Sequence, residues 1–109
     1  MGNAIEITTD NFEEKVLKNE GVALVDFSAT WCGPCQALAP TIEELASEYA
    51  DKGVLVGKCD VDEQSELAAR FGVMSVPTVI FFKNGEQQDS IMGNQPKATL
   101  EQKIKNLLG

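Results

Sequence analysis

Hydrophobic positions along this chain alternate between the spacing of strands and the spacing of helices. Apolar runs and alternating stretches predict five strands, at residues 5–8, 22–28, 54–61, 76–82 and 88–92. Between and after them, apolar residues three and four positions apart predict four helices, at residues 10–20, 36–49, 67–71 and 100–108. The predicted element order is therefore βαβαβαββα.

This alternation is typical of an α/β fold. It predicts a central mixed five-stranded sheet with the four helices on its two faces, in one domain that spans residues 1–109. Asp10 and Glu13 have the spacing of a capping box at the start of the first helix, and residues 83–86 predict the turn of a β-hairpin. Right-handed crossovers would bring the loop after the second strand to the carboxyl edge of the sheet, where chemistry tends to lie in such folds.

That loop contains Cys32, Gly33, Pro34 and Cys35. Two cysteines separated by two residues indicate either a redox dithiol or half of a zinc site. The chain has three cysteines and no histidine, so a closed zinc site would need a carboxylate ligand or a second subunit. The odd number of cysteines, in a chain expected to occupy a reducing compartment, argues against a purely structural disulfide. The composition therefore favours redox exchange.

Charge and hydropathy restrict the binding partners and the cellular location that we expect. A formal net charge of −8 argues against binding to nucleic acid or to an anionic membrane, because both need a basic face. No apolar run approaches the roughly 18 residues that indicate a transmembrane helix, and residues 1–6 lack the charged and apolar regions of a secretory signal. We expect a cytoplasmic protein, and nothing in the sequence requires more than a monomer.

Residues elsewhere in the chain suit thiol chemistry. Cys32 stands just before a predicted helix, where unpaired backbone N–H groups favour a thiolate. Asp26 lies inside a buried strand, so burial should raise its pKa and let it shuttle the proton of the second thiol. We expect Lys58 to lie across from Asp26 on the neighbouring strand. The sequence predicts Cys59 as a buried apolar residue, with a regulatory thiol as the alternative. The base rate of X–Pro bonds predicts a trans peptide before Pro77.

Several motifs together resemble the thioredoxin family over residues 7–108. They are Trp31-Cys32-Gly33-Pro34-Cys35, Asp26, Pro40, Val76-Pro77-Thr78, Phe82-Lys83-Asn84-Gly85 and Gly93. The resemblance implies the thioredoxin fold, a cis Pro77 and protein-disulfide reductase activity. It also implies that an exposed Cys32 attacks, a sheltered Cys35 resolves, Asp26 handles the proton and Lys58 tunes Asp26. The implied client-docking surface comprises Trp31, Gly33, Pro34, Ser75, Val76, Pro77 and Gly93.

The same resemblance implies that the redox-active dithiol needs no further cofactor and no metal. The implied partners are a thioredoxin reductase and disulfide-containing client proteins. Four positions depart from the commonest family pattern and should alter partner preference more than mechanism: Ser28, Gln36, Met74 and Asn94. Two other functions stay open, a disulfide oxidase or isomerase and a non-catalytic binding subunit of the same fold.

Overall fold

A computed structural model describes residues 4–109. Residues 1–3 lie outside the described range. Two predictions include them, the single domain over residues 1–109 and the absence of a secretory signal in residues 1–6. Five strands form one mixed sheet in the order β1-β3-β2-β4-β5. They are β1 (Ile5–Glu6), β2 (Val22–Ser28), β3 (Leu55–Asp60), β4 (Thr78–Lys83) and β5 (Glu86–Met92). The first three in the order pair in parallel, and β4 is antiparallel to both of its neighbours.

Helices connect and flank these strands. They are a π-helical segment (Glu13–Leu17), α1 (Gly33–Tyr49) with a 3₁₀ turn at its end (Ala50–Lys52), α2 (Ser65–Arg70) and α3 (Lys97–Leu108). The predicted order and fold class are confirmed. Within residues 4–109, no helix combines the length and the apolar character needed to cross a bilayer.

Strand β2 runs through the centre of the sheet, and its residues from Val22 to Phe27 are buried. Its side chains alternate between two apolar clusters: Leu24 packs with residues of α1 and α3, whereas Val25 packs on the opposite face. Asp26 has the same parity as Leu24, so the alternation directs its carboxyl group towards α1. The central position of β2 thus buries a carboxyl group beneath the helix that carries the two cysteines.

The start of the first helical segment differs from the prediction. Its N-cap residue is Phe12, which makes no side-chain cap hydrogen bond. In the turn before it, the Thr8 amide donates to Asn11 Oδ1 at 2.8 Å and the Asn11 amide donates to Thr8 Oγ1 at 3.1 Å. The predicted box of Asp10 and Glu13 is therefore wrong. The Asn11 side chain also donates to the carbonyl of Glu6, which ties the turn to the end of β1 and favours the earlier pair.

The segment before β4 also differs from the strand prediction. β4 begins at Thr78 rather than Val76, because a proline has no N–H to donate to a strand ladder. The Val76–Pro77 peptide bond is cis, so the base-rate expectation of a trans bond is wrong and the conformation implied by the family resemblance is confirmed. The Thr78 hydroxyl donates to the Ser75 carbonyl at 2.7 Å, which closes this turn on itself.

Candidate active site

The two cysteines lie where the loop after β2 meets the first turn of α1. Cys32 is the N-cap residue of α1 in extended conformation, and Pro34 occupies the first turn, where its missing N–H costs nothing. The three-residue spacing brings Cys35 back to Cys32 across one helical turn, with their Cα atoms 5.2 Å apart. A disulfide joins them, so the structure represents the oxidised form.

The start of α1 also supplies the electrostatics of the site. The Cys35 amide donates to Cys32 Sγ at 3.2 Å, as expected for an unpaired N–H in a first helical turn. The positive end of the helix dipole also faces the Cys32 sulfur, since Cys32 is the N-cap residue of α1. Both favour a thiolate at Cys32, the species that attacks disulfides.

The exposed fraction of the two cysteines departs from the prediction. Only 5% of Cys32 and 4% of Cys35 is accessible to solvent, so the expectation of an exposed Cys32 beside a sheltered Cys35 is wrong for the disulfide form. The reason is packing, because the disulfide sits in a small apolar cluster with Ala29, Val61 and Val76. The two sulfurs differ instead in what surrounds them.

Asp26 lies deep in the sheet, 3% exposed, between Lys58 of β3 and Val79 of β4. Its Oδ1 atom has no hydrogen-bond partner among the described residues. Burial raises the pKa of this carboxyl group from 3.8 to about 7, because desolvation disfavours the charged form. A carboxyl group that titrates near neutral pH can both accept and release a proton there.

A cavity of about 80 Å³ connects Asp26 with the second cysteine. It is lined by Asp26, Ser28, Cys35, Ala39, Ile42, Glu43 and Lys58. Its size allows a few water molecules, each of which takes up about 30 Å³ in the liquid. Cys35 therefore faces a buried acid and a water-sized space, and Cys32 does not line that cavity.

Lys58 lies opposite Asp26 in the parallel register of β2 and β3, as predicted. Its side chain is nevertheless 54% exposed, and its ammonium group pairs with the Glu43 carboxylate at 3.6 Å. The register prediction is confirmed, whereas a tuning role for Lys58 stays a prediction.

On the other side of the disulfide, backbone groups come close to Cys32. Its Sγ atom lies 3.6 Å from the Val76 carbonyl oxygen. The Gly93 amide donates to the Pro77 carbonyl at 2.8 Å and so joins two of the predicted docking segments. Cys32, Val76, Pro77 and Gly93 thus lie close together, although they are separated by up to 61 residues in sequence. Of these four, Val76 and Gly93 are partly exposed, whereas Cys32 and the predicted docking residue Pro77 are buried.

Trp31 forms the exposed flank of this region. Its ring is 70% exposed, and its indole N–H donates to the Asp62 carboxylate at 2.8 Å. The remaining predicted docking residues, Gly33, Pro34 and Ser75, are also exposed. The structure brings the predicted residues to one end of the sheet, and their roles in client binding stay predictions.

The third cysteine differs from the other two. Cys59 is unpaired and 1% exposed, so its prediction as a buried apolar residue is confirmed. Burial and, to a lesser extent, the acidic groups of Asp60, Asp26 and Glu6 raise the pKa of its thiol to about 12. It is therefore a poor nucleophile at neutral pH.

Two residues near the site were missed from the sequence, Glu43 and Asp62. Glu43 lies eight positions after Cys35, which is about two helical turns and thus the same face of α1. Its helical spacing from Cys35 was therefore the sequence signal that could have identified Glu43 as a site residue. Asp62 follows β3 in a turn, and no local pattern indicates its bond to Trp31.

Metal binding has no support in the described part of the chain. Among residues 4–109 there is no group of three or more cysteine, histidine or acidic side chains placed to hold an ion.

Comparisons with known proteins agree with the geometry. The family model named Thioredoxin matches residues 3–106. A thioredoxin of Staphylococcus haemolyticus is 51% identical over 96 residues, which are 88% of this chain and 89% of that protein. A chloroplastic M-type thioredoxin of Pisum sativum is 46% identical over 107 residues, which are 97% of this chain and 62% of the pea protein.

Solved structures extend the similarity to the whole fold. A crystal structure of thioredoxin from Malassezia sympodialis superimposes with a TM-score of 0.87 at 36% identity, covering 100% of this chain and 94% of that one. A mutant thioredoxin from Halobacterium salinarum gives a TM-score of 0.88 at 34% identity, covering 100% of this chain and 96% of that one. The central five-stranded sheet and its helices thus have the arrangement found in these proteins.

Proposed function

This chain belongs to the thioredoxin family, and from that premise we propose that it reduces disulfide bonds of client proteins through two exchange steps at Cys32 and Cys35. Members of the family are protein-disulfide oxidoreductases, and the Cys32–Cys35 pair supports a dithiol–disulfide reductase here. The observation that carries the proposal is the position of this pair at the start of α1, with a helix amide directed at Cys32 Sγ.

In the first step, the Cys32 thiolate attacks one sulfur of a client disulfide. A bond forms between Cys32 Sγ and that sulfur, and the other client sulfur leaves as a thiolate that takes a proton from solvent. The Cys35 amide favours the reactive form of Cys32, because a hydrogen-bond donor stabilises negative charge on the sulfur.

In the second step, Cys35 resolves the mixed disulfide. Its thiol gives a proton to the ionised Asp26 carboxylate across the shared cavity, and its thiolate then attacks Cys32 Sγ. The bond from Cys32 to the client breaks, and the second client sulfur leaves as a thiolate. The client has gained two electrons, and the dithiol has become the disulfide.

Clients would dock on the surface formed by Trp31, Gly33, Pro34, Ser75, Val76, Pro77 and Gly93. An extended client segment beside Val76 could pair with exposed backbone groups, as peptides do at sheet edges. The proximity of Cys32 Sγ to the Val76 carbonyl supports this position for the client cysteine.

Turnover requires a partner that returns two electrons to the Cys32–Cys35 disulfide. A thioredoxin reductase is the proposed donor, and disulfide-containing proteins are the proposed acceptors. The dithiol needs no further cofactor in this scheme. We assign the protein to the cytoplasm as a monomeric electron carrier, with one domain over residues 1–109, and the unpaired Cys59 supports a reducing compartment.

The test replaces the resolving thiol. C35S should trap client proteins as mixed disulfides and lower insulin reduction by at least on the order of a hundredfold, because the second exchange has no nucleophile. C59S is the matched control, with one thiol removed outside the site, and should trap nothing. Trapping by C59S, or full turnover by C35S, would contradict the assignment.

The two other functions predict different results, one in a redox titration and one in the insulin assay. A disulfide oxidase or isomerase would have a reduction potential well above that of reducing dithiols, measured against a glutathione buffer. A non-catalytic binding subunit would leave insulin unreduced although its dithiol is intact.

A further inference from the structure

We propose that Glu43 is a positioning residue for the resolving step. Its ion pair with Lys58 holds the ammonium group at the outer end of the cavity and away from Asp26, so that Asp26 remains able to take the Cys35 proton near neutral pH. This inference rests on the proposed role of Asp26 as the proton acceptor.

Both oxygens of the Glu43 carboxylate have specific contacts. Oε1 accepts a hydrogen bond from the Ala4 amide at 3.0 Å, and Oε2 lies 3.6 Å from the Lys58 ammonium group. The Glu43 side chain is only 29% exposed. The carboxylate thus links the segment before β1, helix α1 and strand β3, and its position is set by three parts of the fold.

The cavity has a buried end and an exposed end. Asp26 and Cys35 are 3% and 4% exposed, whereas the Lys58 side chain is 54% exposed. Glu43 and Lys58 line the same cavity. Their ion pair therefore lies among the more exposed residues of the cavity lining.

The direction of the Lys58 side chain matters because its Cα position is directly across from that of Asp26. An ammonium group turned inwards would stabilise the Asp26 carboxylate and lower its pKa. Instead, burial is the influence that governs Asp26, and its pKa is about 7. This agrees with the ion pair, in which the Lys58 ammonium group is engaged by Glu43.

From α1, the titratable groups that face Asp26 are Cys35 and Glu43. From β3 they are Lys58 and Cys59, and the position opposite Asp26 on β4 is the apolar Val79. Lys58 has further acidic neighbours, since Glu6 lies across from it on β1 and lines a second cavity with it, Asp60 and Glu63. The ion pair that the structure shows for its ammonium group is nevertheless with Glu43, the acidic side chain that shares the cavity of Asp26.

The experiment measures the titration of Asp26 in the reduced protein from the ¹³C shift of its carboxyl carbon. E43Q should lower the pKa of Asp26 by about half a unit to one unit, because Lys58 is released towards the carboxylate. Glutamine keeps an acceptor for the Ala4 amide, so the fold should be retained. E44Q is the matched control, since Glu44 is the next residue of α1 but pairs with Lys97, and it should leave the titration unchanged.

A second variant, K58M, distinguishes the positioning of Lys58 by Glu43 from a direct effect of the Glu43 charge on Asp26. K58M removes the ammonium group, and in that background E43Q should shift the pKa of Asp26 by less than half as much. An equal shift in both backgrounds would mean that Glu43 acts through its own charge and would overturn the proposal. So would an unchanged titration in E43Q, or an equal shift in E44Q.

The readout needs no client and no turnover. If insulin were not reduced by the unmodified chain, the proposed function would fail while the titration of Asp26 still tested the position of Lys58. If insulin were reduced and E43Q left Asp26 unchanged, only the role of Glu43 would fail.

Discussion

The cysteines of the Cys32–Cys35 pair and Cys59 have the same side chain but lie in two very different environments. The pair lies at the start of α1, where a helix amide faces one sulfur and a water-sized cavity adjoins the other. Cys59 lies within β3 opposite Phe27, buried in the apolar cluster on the other face of the sheet. The difference teaches that the backbone and solvent around a thiol decide its chemistry, since all three cysteines are almost fully buried.

Asp26 shows that burial itself is neither activating nor inactivating. Desolvation raises the pKa of Asp26 to about 7 and that of Cys59 to about 12. The same effect brings the carboxyl group into the physiological range and takes the thiol out of it. A buried carboxyl group can thus become a useful base where a buried thiol becomes inert.

The largest expected contrast is in alkylation of the reduced protein at pH 7. With its pKa at about 12, Cys59 is ionised in only about one molecule in 10⁵, at least a thousandfold less than an ordinary thiol with a pKa of about 8.5. Iodoacetamide followed by peptide mass spectrometry should therefore modify Cys32 first and leave Cys59 unmodified until urea unfolds the chain. Modification of Cys59 at a rate similar to that of Cys32 would contradict the expected difference in reactivity between the two thiols.

The next effect concerns the stability cost of burying Asp26. Its folded pKa lies above its unfolded value, so the contribution to stability is complete below pH 3.8 and is lost as the pH rises through about 7. The shift of about three units corresponds to about 4 kcal/mol. Relative to D26N, the unmodified oxidised protein should lose about that much unfolding free energy between pH 4 and pH 9.

Urea unfolding at several pH values checks this expectation. D10N is a matched control, because Asp10 is exposed and its replacement should leave the pH dependence unchanged. A difference between the unmodified protein and D26N that is independent of pH would show that Asp26 is not desolvated in the folded state.

The smallest effect is expected at Cys59, where only packing should be lost. C59A should lower the unfolding free energy by about 1 kcal/mol, because it removes one buried sulfur atom. C59S should cost more, about 1–3 kcal/mol, since it buries a hydroxyl group without an assured partner. Insulin reduction by C59A should stay within about twofold of the unmodified protein. A larger loss of activity with little loss of stability would assign Cys59 a role in the exchange itself.

Much of the fold and part of the site followed from local patterns. Hydrophobic spacing predicted the order of strands and helices, because apolar side chains on one face recur about every 2 residues in a strand and about every 3.6 residues in a helix. The acidic residue within an apolar strand predicted the burial of Asp26, and the cysteine spacing predicted a dithiol at a helix start. The position of Lys58 across from Asp26 on the neighbouring strand was also expected.

Contacts between distant segments were decided by the tertiary structure. The proximity of Val76 to Cys32, and with it the near-complete burial of Cys32, joins segments 44 residues apart. The cis peptide before Pro77 is opposite to the base rate of X–Pro bonds. The turn before the first helical segment spans a shorter distance, because the Asn11 side chain bonds to Glu6, five residues earlier.

What the sequence determined by itself is therefore the kind of chemistry: a dithiol at a helix start, with a buried acid on the strand before it. The environment of each group depended on how distant segments pack together, including which of two carboxylates Lys58 pairs with. The physical reason is that spacing along the chain determines which face a residue occupies. Burial and charge partners depend on what other segments bring to that face.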